Sequence, residues 1–100
     1  MSGIENIAGA LSEEALIEQL VEECGELVQA GAKRLRILRG ENPSPKSLID
    51  NGHDLMEELV DVLLAEEVLV EKLGCRFDCA GMKQRKLDRW LSRLGRKAKG

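Results

Sequence analysis

From Ser12 onward, apolar residues recur at spacings of three and four: Leu16, Leu20, Cys24, Leu27, Gly31, Leu35 and Leu38. That period belongs to a helix of about seven turns with a single apolar stripe. Ser12 suits the N-cap, and Glu13 and Glu14 suit the first turn. Arg36, Arg39 and Gly40 suit the other end. Gly25 and Gly31 each weaken the helix interior by up to ~1 kcal/mol relative to Ala, which predicts a close backbone approach there. A second long helix is predicted from about His53 to Leu73, with Gly74 ending it. Its Leu59, Val60, Val62, Leu63 and Leu64 cover most of the circumference, so this helix should be central and packed on several sides. A third is predicted from an N-cap near Asp78 to about Lys97, with Lys83, Leu87, Trp90 and Leu94 on one stripe.

The intervening segments are short. Residues 1–11 are weakly patterned and read as a loose lead-in with at most one helical turn. "ENPSPKS" is a loop, because Pro43 and Pro45 cannot both continue a helix. A short turn through Leu48 and Ile49 should follow, broken by the "DNG" of residues 50–52, and residues 97–100 read as a basic tail. No alternating β-branched run appears. The expectation is a single all-α domain over 1–100, a small bundle of three long helices plus a short turn helix.

Apolar residues make up 43% of the chain, but Phe77 and Trp90 are its only aromatics, so the core must be aliphatic. No uncharged apolar stretch approaches the ~20 residues that span a bilayer, so no membrane partner is expected. The N-terminus lacks a basic region followed by an apolar run, the pattern of a secretory signal. Cys24, Cys75 and Cys79 are odd in number and form no C-x-x-C, which favours reduced thiols in the cytoplasm. His53, the single histidine, stands at no recognisable zinc spacing from them.

The net charge of −3 conceals an asymmetry. Residues 5–26 carry seven acids and no base, whereas residues 83–99 carry eight basic residues and one acid, Asp88. Some acids lie where burial is needed. Glu23 and Glu26 share one face of the first long helix, three residues apart, and Glu58 and Asp61 do the same on the second. If the two apolar stripes pack antiparallel, four carboxylates converge on one small volume, and partial burial raises their repulsion to several kcal/mol, an order-of-magnitude figure. A cation removes that penalty. Mg²⁺ fits hard oxygen ligands while keeping water, with Mn²⁺ as an alternative, and such an ion is equipment for phosphate chemistry. Glu13, Glu14, Glu18, Glu66, Glu67 and Glu71 read instead as a solvated face.

"EECGEL", a loop, and then "EELVDVL" resembles the all-α MazG-like nucleoside triphosphate pyrophosphohydrolases, over about residues 16–90. The linker between the motifs is longer than in most members, and base-clasping aromatics are nearly absent. The resemblance implies that Glu23, Glu26, Glu58 and Asp61 ligate magnesium, while Glu22 and Glu57 support those ligands or act as a base toward water. It implies cleavage of a nucleoside triphosphate to the monophosphate and pyrophosphate. "MKQRKLDRW" looks like the family's basic element. Lys83 on the inward stripe and Lys86 beside it are its candidate phosphate-binding residues.

Trp90 reads as core, and Arg85, Arg89, Arg93 and Arg96 as an outer face. Two other readings compete: a nucleic-acid binder using the basic last helix, and a catalytically idle helical assembly module. A binder has no use for converging acids, so nucleic acid is not the expected partner. A second copy is. Three such helices cannot cover the second one alone, which predicts a homodimer or a dimer of dimers with a four-helix-type core shared between subunits.

Overall fold

In the computed structural model, which describes residues 2–41 and 48–99, four helices follow one another: α1 (Gly3–Ala10), α2 (Glu13–Leu38), α3 (Leu48–Leu73) and α4 (Arg76–Lys99). No strand occurs among the described residues, as the helical periodicity predicts. The Ser12 hydroxyl accepts the Ala15 N–H at 3.1 Å and starts α2 where the sequence places it.

The supposedly loose lead-in is α1. Ser2 caps it by accepting the Glu5 N–H at 3.1 Å, and Ala8 packs with Leu16 and Val68 in the small buried cluster. The short segment gains its helix from this tertiary contact rather than from length.

α3 starts at Leu48 and runs straight through the predicted break, so no separate short turn helix exists there. The reason is a tether from α2. Arg34 Nη1 donates to the Leu48 carbonyl at 2.8 Å and to Asn51 Oδ1 at 3.5 Å, and Asn51 is only 2% exposed. A Cβ on Gly52 would lie 3.1 Å from the same guanidinium nitrogen, so the glycine makes room for the arginine. The close approach predicted at Gly25 and Gly31 does not occur, since a Cβ at either meets nothing within 4 Å. Of the predicted loop, residues 42–47 lie outside the described residues, and Glu41 has no regular structure.

Gly74 closes α3 with a φ of +63°, a region that suits glycine. Its N–H donates to the Glu71 carbonyl at 3.2 Å, and the Cys75 N–H reaches Val70 at 3.3 Å. Cys75 is then the N-cap of α4, its carbonyl accepting the Cys79 N–H at 2.9 Å, so α4 begins at Arg76 rather than after Asp78. The helix continues to Lys99, which takes most of the predicted tail into regular structure; Gly100 lies outside the described residues.

α2 and α3 pack antiparallel, and the pairing fixes their register. Leu16 meets Val68 at one end, and Arg34 meets Leu48 and Asn51 at the other. On α2 the covered seam runs through Leu16, Leu20, Glu23, Leu27, Ala30, Arg34 and Ile37. Cys24, Leu35 and Leu38, which the sequence places on that stripe, turn outward with Ile17, Val21 and Val28. Two adjacent seams at coiled-coil spacing therefore lie on one helix, one covered by α3 and one open.

α3 is central as predicted, contacting α1, α2 and α4, yet Met56, Leu59, Val60 and Leu63 on it stay exposed. α4 touches α3 only sparsely and does not fold back along it. Among the described residues, the apolar part of its predicted inward stripe is not covered by another helix. Lys83, Leu87 and Leu94 are exposed, Lys83 at the edge of a cleft with Glu66 and Glu67 of α3, and Trp90, expected in the core, is 62% exposed. The Cα radius of gyration is 17.4 Å, against about 13 Å for a compact chain of this length.

Candidate metal centre

Midway along the α2–α3 contact, the register sets Glu26 opposite Glu58 and Glu23 opposite Asp61. One carboxylate oxygen from each of the four lies within 4.8 Å of all the others. Two residues come from each helix, one turn apart, so the antiparallel packing that buries Leu16 and Ala30 also gathers the acids.

The group is under electrostatic load. Glu26 is held above its ordinary value of 4.5, first by the facing Glu58 carboxylate and then by burial. Glu23 is also raised above 4.5, first by burial and then by Glu26 and Asp61. Gln19, four residues before Glu23 on the same side of α2, donates Nε2 to Glu23 Oε1 at 2.7 Å and partly offsets that rise. The other oxygen of Glu23 and the Oε2 of Glu58 are buried without any hydrogen-bond partner. Buried carboxylate oxygens left in that state are costly, and a cation held between the helices would satisfy both. Four hard oxygen donors at this separation fit Mg²⁺ or Mn²⁺, with room on the ion for water and phosphate oxygens.

Two cavities open on the group. One, of ≈ 260 Å³, is walled by Ile7, Leu11 and Leu16 on one side and by Leu64, Ala65 and Val68 on the other, with Gln19, Glu23 and Asp61 at its polar edge. The second, of ≈ 430 Å³, is lined by His53, Met56, Glu57, Val60 and Asp61. Asp61 thus stands between an apolar pocket and a more polar cleft. Glu57 borders the cleft, and Glu22 is exposed on α2 beside the group.

The basic residues are not part of this arrangement. Lys83 lines a different cleft with Glu66, Glu67 and Arg76, and Lys86 an apolar groove with Met82, Leu87 and Trp90. Neither lines a cavity at the four acids within its own chain.

Sequence reasoning missed Gln19, Ile7 and Leu11. Gln19 was recoverable, because it stands one turn before Glu23 on the inward face. The pocket wall also carried a signal: Ser2 and Glu5 stand at capping-box spacing, and Ile4, Ile7, Ala8 and Leu11 recur at i, i+3, i+4 and i+7. Among the described residues no helix is long and apolar enough to cross a membrane. Compared with protein-family models, curated proteins and solved structures, the chain matches none.

Proposed function

We propose that the protein is a divalent-metal-dependent nucleoside triphosphate pyrophosphohydrolase of the MazG-like kind, releasing the monophosphate and pyrophosphate in the cytoplasm. The observation that carries this reading is the four-carboxylate group with two buried, unpartnered oxygens between α2 and α3. The spacing of its two sequence motifs supports it as well. A magnesium ion there supplies charge neutralisation for the phosphates and a water more acidic than bulk.

The chain's own residues divide the remaining work. Glu23, Glu26, Glu58 and Asp61 hold the ion. Gln19 fixes the rotamer of Glu23 through its 2.7 Å hydrogen bond. Glu57, at the polar cleft, and Glu22 are the carboxylates available to take a proton from the attacking water. The pocket walled by Ile7, Leu11 and Leu64 excludes water from one side of the acids and offers an apolar surface to the nucleoside.

A second copy belongs to the same reading. The accessible surface of 7881 Å² exceeds the about 5,650 Å² expected for a folded monomer of 11.1 kDa. The excess, roughly 2,200 Å² per chain, is what an obligate dimer buries. The open seam of α2 and the uncovered side of α3 then form a four-helix core with their counterparts. Lys83 and Lys86 would reach the phosphates from the partner chain, which brings the basic α4 toward the acidic half of its neighbour. A dimer of dimers covers what the first contact leaves.

The test is a screen of nucleoside triphosphates with Mg²⁺, scored for pyrophosphate. Activity should vanish with a chelator and fall by more than about a hundredfold in Asp61→Asn. No pyrophosphate from any substrate, alongside a salt-sensitive shift of nucleic acid, would favour the binding reading instead.

A further inference from the structure

The turn between α3 and α4 brings two thiols into contact. Cys75 and Cys79 are both half-buried, and their sulfurs are 3.5 Å apart. The backbone at this point is held from both sides. The Cys75 N–H closes α3 by donating to Val70, and its carbonyl opens α4 by accepting the Cys79 N–H at 2.9 Å. One helical turn sets Cα atoms about 6 Å apart. That lies inside the roughly 4.4–6.8 Å range compatible with a disulfide, and the non-helical backbone of Cys75 at the turn is where the small adjustment that closes the bond can occur.

We propose that Cys75 and Cys79 are a redox-active dithiol that small-molecule disulfides oxidise to an intramolecular disulfide. A Cys75 thiolate attacks one sulfur of the reagent R–S–S–R, forming a mixed disulfide and releasing one thiolate. The Cys79 sulfur then attacks the Cys75 sulfur, and the second R–S⁻ leaves. The two protons of the protein thiols end on the two released thiols. The protein pair is oxidised by two electrons and the reagent is reduced by two.

The order follows from the surroundings of Cys79. Its thiol is held up, first by the hydrogen bond with Cys75, then by burial, and further by the Glu66 and Asp78 carboxylates. It therefore holds its proton more tightly than a free thiol, which suits the resolving role. Arg76, between the two cysteines, pairs with Glu71 at 3.4 Å, and Cys79 opens on the cleft that Arg76 and Lys83 also line, which gives the reagent access to the pair.

The experiment treats the full-length reduced protein with a large excess of oxidised glutathione until its free-thiol content stops falling. Remaining thiols are then alkylated and the protein digested with trypsin without reduction. Cleavage after Lys72, Arg76 and Lys83 puts the two cysteines on separate peptides, 73–76 and 77–83. The expected result is that these two peptides are recovered joined, with no glutathione on either. In Cys79→Ser the reaction should stop at the first stage, with glutathione retained on Cys75. Recovery of Cys75 and Cys79 separately, each alkylated or each carrying glutathione, once the free-thiol content has stopped falling, would overturn the proposal.

Discussion

Glu23 and Glu26 are the residues on which the account bears hardest, because their environment penalises the charged form. Each is raised above 4.5 in the fold, so each takes up its proton more readily folded than unfolded. The stabilisation this gives is fully present below 4.5 and is lost as the pH rises through the raised folded value. Chelator-treated protein should therefore lose melting temperature between pH 4.5 and neutrality relative to a Glu23→Gln, Glu26→Gln variant measured alongside it. Parallel curves would mean that the four acids do not repel one another in the fold. Magnesium should raise the melting temperature at neutral pH and have little effect in acid, where protons compete for the same oxygens. On the apolar side, Leu11→Asp should raise KM for the triphosphate with kcat nearly unchanged, since Leu11 meets the pocket and not the acids. A loss confined to kcat would place the nucleoside elsewhere.

Among the elements, α2 was the most legible in the sequence: its cap, its length and its spaced acids all follow from local rules. The start of α3 was not. Asn51 and Gly52 are breakers by propensity, and the interaction that overrules them comes from Arg34, far away in the chain. The acids were legible because i, i+3 spacing survives any bundle geometry. The wall of α1 was legible in part, through Ser2 and Glu5 at capping-box spacing and Ile4, Ile7, Ala8 and Leu11 on one face. A helix of eight residues is too short, however, for pattern alone to place it against α3. Arg34→Met should cost about 1–3 kcal/mol in urea unfolding, because it leaves the buried Asn51 side chain without this partner. A change within error would show that the tether does not hold α3. At the other end, Gly74→Ala should destabilise by about 1–2 kcal/mol, the cost of a left-handed backbone for an L residue.

For the whole molecule, the governing fact is incomplete coverage: α2, α3 and α4 each turn large apolar side chains to the outside. That α4 leaves the bundle was hidden from sequence reasoning, which sees a stripe but not whether its partner lies in the same chain. Val21→Glu with Val28→Glu should convert the assembly to monomer in sedimentation experiments, because both lie on the open seam of α2. A parent protein already monomeric at micromolar concentration would remove the second copy from the account. The centre between α2 and α3 does not depend on that outcome, since one chain supplies all four acids. Its most direct test is a calorimetric titration of Mg²⁺ into chelator-treated protein, run beside Glu58→Gln, Asp61→Asn. The account predicts saturable binding by the parent and none by the double variant, with both equally folded by circular dichroism. Equal binding by the two proteins would contradict it.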